Sequence, residues 1–396
     1  MQPLSCLSSI GGHRRVGVKR SGKDGQPVTI SIGQLLLKMN EVGASDLHIK
    51  IGSPPVLRIA STLHRIDSPD LTALDTDKLL TPLIPEIQKA ALHELGGLDF
   101  SHSEGPGARY RCSVFHAGGG LHAAIRRVNP VIPSFDELHL PPIYHTVADT
   151  THEGLVVVCG VTGCGKSTTL AAMVDHINHN RQCNIITIED PVEYLIQPDK
   201  SYISQREIGI DVKDFPLALR AAVRQDPDVI MIGELRDRET MMAGLQAAET
   251  GHTVYVTLHT ADTMQSFARM LEFFPSSEHP FIRSTMANGL KAVMAQRLLP
   301  CVRPDVDRVP ATEVLINTVT VQDKIRESED EDMPAIINSS EHEGMHSFTQ
   351  SLAKLVEEDW VDLRTAENYA PNKDALRSKV RGIEVAADKL VTRVKG

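Results

Sequence analysis

The stretch Val156–Leu170, VVVCGVTGCGKSTTL, joins an apolar run to a glycine-rich turn, a lysine, two hydroxyl residues and the start of a helix. Gly160-x-x-x-x-Gly165-Lys166-Ser167 has P-loop spacing, and its context is the required one, with a strand before it and the helical STTLAAMVDHIN after it. Glycines let successive backbone N–H groups converge on phosphate oxygens, and the start of a helix adds partial positive charge. Gly160, Val161, Thr162, Gly163, Cys164, Gly165, Lys166, Ser167 and Thr168 are therefore the expected nucleotide cradle. In it Lys166 would reach the β and γ phosphates of ATP while the Ser167 hydroxyl ligates Mg²⁺. The competing reading is a glycine turn with a surface lysine.

Outward from this loop, LVVVCG, NIITIED, DVIMIGE and TVYVTLH are continuous apolar runs separated by helical segments. Continuous rather than alternating apolarity marks strands buried on both faces, hence a parallel sheet covered by helices. Residues 154–305 are expected to form this α/β core. Upstream, ISIGQLLLKMNEVG reads as a short amphipathic helix ended by Gly43, followed by short strands and turns, so residues 29–135 are expected to be a small α+β domain. The proline-rich NPVIPSFDELHLPPIY reads as a linker, placed at 136–153. Residues 306–396 read as a helical C-terminal region and tail, with the acidic ESEDEDMP as a solvated loop. Residues 1–28 lack the apolar segment of an export signal and read as a disordered leader or as the product of a misplaced start codon.

The length of 396 residues predicts two or three domains, and no apolar run approaches the length of a membrane span. A formal charge of −10 argues against a protein that coats DNA or RNA, so no nucleic-acid partner is expected. The six cysteines are scattered without a C-x-x-C pair and read as reduced thiols in a cytoplasmic protein.

Cleavage of a bound nucleotide needs carboxylates near the metal and the attacking water. ITIEDPVEY ends a buried strand with Glu189, Asp190 and Glu193, and DVIMIGELRD ends another with Glu234, where a Walker-B acid would stand, Gly233 replacing the more usual aspartate. Each acid taken alone could equally be a cap or a solvated surface group. In AAETGHTVYVTLHT, His252 and His259 bracket a further strand, and a satisfied structural histidine is the competing reading for both. In ARYRCSVF a period of two puts Arg109, Arg111 and Ser113 on one polar face, and Arg126 ends the returning strand. By themselves these are surface arginines; closing over a triphosphate, they would neutralise developing charge.

The combination GVTGCGKSTTLAAM, TIEDPVEY, LRAAVRQDPDVIMIGELRD and AAETGHTVYVTLHT resembles the secretion and type IV pilus ATPases, in which these are the Walker A, Asp box, Walker B and His box. Within them the chain most resembles the pilus retraction, or twitching motility, ATPases, with further support from GASDLHIKIGSPPVLRI, MAQRLLP and EGMHSFTQSLAKLVEE. The resemblance implies a PAS-like N-terminal domain, a RecA-like P-loop ATPase domain, nucleotide between them, and a homo-hexameric ring at the inner face of the membrane. It also implies as partners an inner-membrane pilus platform protein and a second pilus ATPase. By position it assigns Glu193 as catalytic base, Glu234 as Walker-B acid, Glu189 and Glu234 to the Mg²⁺ shell with Ser167, His252 and His259 to the His box, and Arg111 and Arg126 to the γ-phosphate. The pattern departs at Glu153, where the family carries arginine, and at TVQDKIRE (320–327), where retraction ATPases carry AIRNLIRE. The alternatives are a pilus assembly or type II secretion ATPase and, from another class, a RecA-like nucleic-acid motor.

Overall fold

The structure, a computed structural model, describes residues 15–16, 30–60, 62–105, 108–128 and 131–382. The chain divides into two units, one of residues up to 131 with 190–195 and 207–211, the other of 132–189, 196–206 and 212 onward.

The first unit contains β1 (Arg15–Val16), α1 (Ile32–Glu41), β2 (Asp46–Ile49), β3 (Val56–Ile59), β4 (Thr62–Ile66), α2 (Ala73–Leu80), α3 (Lys89–Leu95), β5 (Gly97–Ser103), β6 (Arg109–Ala117) and β7 (Gly120–Val128). Its sheet runs β1-β4-β3-β2-β7-β6-β5. Helix α1 starts where Ser31 and Gln34 satisfy each other's backbone N–H groups in a capping box. The β6–β7 hairpin turns through Gly118 and Gly119, both at positive φ (58° and 87°), as a two-residue loop matching the strand twist requires. Leu35, Leu36, Met39, Leu47, Phe100, Tyr110, Cys112 and Ile125 fill the core of this unit. Of the expected leader, Arg15 and Val16 are a short strand parallel to β4, and the remainder lies outside the described residues.

The second unit contains α4 (Ile143–Thr150), β8 (Gly154–Cys159), α5 (Lys166–Asn180), β9 (Asn184–Glu189), β10 (Tyr202–Glu207), α6 (Phe215–Ala222), β11 (Val229–Ile232), α7 (Arg238–Glu249), β12 (Thr253–Leu258), α8 (Thr263–Glu272), α9 (His279–Gly289), β13 (Leu290–Pro300) and β14 (Arg308–Ile316). After them come α10 (Val319–Glu327), α11 (Met333–Ser339), α12 (Phe348–Glu357), α13 (Leu363–Tyr369) and α14 (Lys373–Val380). The sheet order is β10-β9-β11-β12-β8-β13-β14, with β9, β11, β12, β8 and β13 parallel and β14 antiparallel to β13. Every residue of β8, β11 and β12 is buried, because helices cover both faces. This is the α/β core the apolar runs predict.

Three sequence expectations need correction. The stretch expected as a linker at 136–153 includes α4, whose Tyr144, Val147 and Ala148 are buried with Phe135 and Leu140 in the core of the second unit; its prolines stand before the helix rather than in it. The boundary expected at 305/306 falls inside the β13–β14 hairpin, which closes through nine paired positions from Ala292↔Ile316 to Pro300↔Arg308. Two β-rich strands joined by the turn-like CVRPDVD belong to one ladder, so the helical region begins at α10. The acidic run is also more than a solvated loop, since Asp330 takes two hydrogen bonds from Arg283 (2.6 and 2.7 Å).

Candidate nucleotide site

Strand register assembles the site before any side chain is considered. Cys159 of β8 lies level with Leu258 of β12, and Ile188 of β9 with Ile232 of β11. The P-loop, Glu189, Glu234 and His259 therefore leave the same, C-terminal edge of one parallel sheet, where such sheets bind ligands.

The loop itself has the shape its glycines predict. Gly160, Gly163 and Gly165 hold φ of 154°, 80° and 94°, and Gly165 opens α5. A Cβ on Gly160 would lie 2.4 Å from Cys164 Sγ and 2.5 Å from Gln296 O, so only glycine fits there. Helix α5 starts without a side-chain cap, whereas α6, α7 and α8 start on Asp214, Asp237 and Asp262, each accepting a first-turn N–H. A helix start with no side chain laid across it is what a phosphate-binding helix requires. Val161, Thr162, Gly163 and Ser167 are exposed, while Lys166 is buried.

Lys166 Nζ donates to the carbonyls of Gly160 (2.8 Å) and Val161 (3.3 Å) and lies 3.4 Å from His259 Nδ1. The other ring nitrogen of His259 stands 3.3 Å from Glu234 Oε1, and Arg236 donates to Glu234 Oε2 at 2.8 Å. Burial and the nearby Lys166 ammonium hold the His259 pKa below its ordinary value, against the opposing pull of Glu234. A neutral ring with its proton on Nε2 satisfies both neighbours: Nδ1 accepts from Lys166 and Nε2–H donates to Glu234. A cleft of about 410 Å³ opens here, lined by Glu234, Arg236, His259, Thr260, Gln265 and Arg269, so the cradle is continued by groups of both signs.

Glu189 is buried and accepts from Thr187 Oγ1 (2.8 Å) and Gln205 Nε2 (3.2 Å). Among the described residues no three His, Cys, Asp or Glu side chains cluster as a metal cage. Mg²⁺ in nucleotide sites is held by one or two carboxylate or hydroxyl groups plus phosphate and water, and the exposed Ser167 hydroxyl beside an uncapped helix start fits that donor set.

In the first unit, Arg111 Nη1 lies 3.4 Å from Glu193 Oε1, an in-unit ion pair because residues 190–195 belong with that unit. Arg126 Nε donates to Asp46, its cross-strand partner, at 2.8 Å. Alternation on β6 follows the expected pattern, with Tyr110, Cys112 and Val114 buried and Arg111 exposed. Burial pushes the Cys112 and Cys159 thiols up to about 12, so both are inert packing groups, and the five described cysteines are all free.

His252 and His259 do not share a site within one chain. His252 Nδ1 lies 3.0 Å from Ala247 O at the end of α7, a capping arrangement, and the six residues of β12 separate the two histidines by roughly 20 Å. Glu153, at the position of the family's arginine, pairs with Lys291 at 3.8 Å. Sequence reasoning missed Gln296, Arg236 and Glu207. Gln296 and Glu207 are buried. The signal for Gln296 was a polar residue directly after the apolar AVMA of LKAVMAQRLLP. Glu207 accepts from Ser101 N (3.0 Å), Val192 N (3.1 Å) and Arg109 (3.2 Å), all in the first unit, and only the fold brings those groups together.

The family described as "Type II/IV secretion system protein" matches residues 123–374. The "Type IV pilus retractation ATPase PilT" of Pseudomonas aeruginosa is 36% identical over 342 residues, 86% of this chain and 98% of that protein. The "Type IV pilus ATPase PilU" of the same organism is 36% identical over 365 residues, 92% of this chain and 95% of that one. Among solved structures, the pilus retraction motor PilT with bound ADP superposes with a TM-score of 0.81 at 38% identity, covering 88% of this chain and 99% of that one. A full-length match of this kind, on a sheet edge that carries an intact P-loop, makes the chain a member of the type II/IV secretion system protein family and, inside it, a PilT-like ATPase.

Proposed function

We propose that the chain hydrolyses ATP with Mg²⁺ to drive type IV pilus retraction, acting as a homo-hexamer at the cytoplasmic face of the membrane with a pilus platform protein and a second pilus ATPase. The observation that carries this reading is the uncapped start of α5 under a glycine loop whose lysine is already gathered with His259 and Glu234. Among the described residues no helix is long and apolar enough to cross a membrane, so attachment would run through partners. In this reading residues Gly160 to Thr168 hold the phosphates, Lys166 leaves its loop carbonyls for the β and γ oxygens, and Ser167 ligates Mg²⁺ with Glu189 and Glu234 in support. Glu193 orients or deprotonates the attacking water. Arg111 and Arg126 neutralise charge on the γ-phosphate, His259 reports its presence to Glu234, and His252 acts through neighbouring subunits.

Phosphate release and nucleotide binding by the purified protein test this. Lys166→Ala is expected to lose both, since one charge-assisted phosphate contact is worth about 2 kcal/mol or more and the lysine makes several. Glu193→Gln is expected to bind ATP as tightly as wild type while turnover falls about a hundredfold or more. Normal hydrolysis by Glu193→Gln would remove Glu193 as the base, and DNA-stimulated turnover would favour a nucleic-acid motor instead.

A further inference from the structure

Gln296 of β13 is 2% exposed and uses both ends of its side chain on the P-loop region. Its Nε2 donates to the carbonyl of Cys164 at 2.7 Å, and its Oε1 accepts from Thr169 Oγ1, in the first turn of α5, at 3.0 Å. A carbonyl can only accept, so the amide nitrogen must face Cys164 and the amide orientation is fixed. The loop also rests on the backbone of this residue: Gln296 O blocks a side chain at Gly160, and Nε2 lies 3.1 Å from where a Cβ on Gly165 would stand.

The consequence for phosphate follows from peptide geometry. The peptide unit is planar and trans, so the N–H of Gly165 points opposite to the Cys164 carbonyl. Tying that carbonyl down to a buried strand points the Gly165 N–H away from Gln296, and the loop ahead of it, Val161 to Gly163, is exposed. We propose that Gln296 is a positioning residue for phosphate binding: by anchoring the Cys164 carbonyl it presents the Gly165 amide to the anion before any ligand arrives. A donor already aimed costs no reorganisation when the charge arrives. The role rests on the nucleotide reading above and adds to it a residue far from the loop in sequence.

Crossed variants separate this role from a merely structural one. Gln296→Met removes both hydrogen bonds with little change of volume, whereas Thr169→Val removes only the bond to Gln296 Oε1 and leaves the Cys164 carbonyl anchored. Gln296→Glu keeps the acceptor for Thr169 and, ionised, offers Cys164 no donor, so it makes the same comparison should the methionine variant fail to fold. ADP binding by calorimetry and the thermal midpoint are measured for each full-length variant. Gln296→Met is expected to weaken ADP binding about tenfold or more, the worth of one misdirected charge-assisted hydrogen bond. Thr169→Val is expected to stay within about threefold of wild type despite a comparable loss of thermal midpoint, because the Gly165 amide keeps its direction. Unchanged ADP affinity in the Gln296 variants, or equal weakening by Thr169→Val, overturns the positioning role alone. A wild-type protein that binds no ADP overturns it together with the nucleotide reading.

Discussion

At Gly160 three constraints meet: φ of 154°, a cysteine sulfur 2.4 Å from any added Cβ, and a backbone carbonyl 2.5 Å away. The sulfur could swing aside, but Gln296 O belongs to a strand in mid-sheet and cannot. Gly160→Ala is therefore expected to cost about 2–4 kcal/mol of stability, read as a lower urea midpoint, with ADP affinity falling alongside. The glycine-rich turn ahead of a helix was legible in the sequence because the residues that spell it, from Gly160 to Thr168, are consecutive. Its support was not: Gln296 lies 132 residues from the Cys164 carbonyl it holds, and no spacing rule reaches that far. The same limit explains the histidines. Strand length, not motif membership, keeps His252 away from Lys166.

At the scale of elements, β14 carries a carboxylate that serves two helices. Glu313 Oε1 accepts from Thr263 N (3.1 Å) and Thr263 Oγ1 (2.7 Å) at the start of α8, and Oε2 faces Phe348 N (3.4 Å) at the start of α12. Negative charge at two helix N-termini is favourable on both counts. Glu313→Ala is expected to lose about 2 kcal/mol by urea denaturation, with hydrogen exchange quickening first at the opening turns of α8 and α12. The four buried strands of the core were readable as apolar runs because burial on both faces leaves a continuous signature. The β13–β14 hairpin was read across rather than along, since polar Gln296, Arg297, Thr312 and Glu313 break that signature while their hydrogen bonds keep the ladder whole. Helix α4 was hidden for the opposite reason: prolines around it looked like a spacer, though Tyr144 and Val147 anchor it in the core.

For the whole molecule, stability should respond to pH through His346. Its Nε2 lies 2.7 Å from Thr312 Oγ1, and burial holds its pKa below the ordinary value; Lys354 also opposes protonation, while the Gly344 carbonyl and Glu341 favour it. The folded state thus binds fewer protons than the unfolded one near the ordinary histidine value, so this contribution is intact above that value and is lost as pH falls through it. His48, depressed mainly by its own burial, acts in the same direction, so the measurement is the difference between wild type and His346→Gln. Between about pH 7.5 and 5.5 the urea midpoint of the wild type is expected to fall more than that of the variant. Equal slopes would show that the ring is charged in the fold or that its burial is relieved. At this scale the sequence reading ended the first domain at 135 and began the α/β core at 154, whereas the second unit takes up the chain from residue 132, and no motif showed how the chain visits the two units. Residues 190–195 and 207–211 return to the first unit, and buried Glu207 joins them to Ser101 and Arg109. A single cut near residue 131 would therefore not part the chain along its two units. A gene fragment ending there would translate Arg109 without the acid it pairs with.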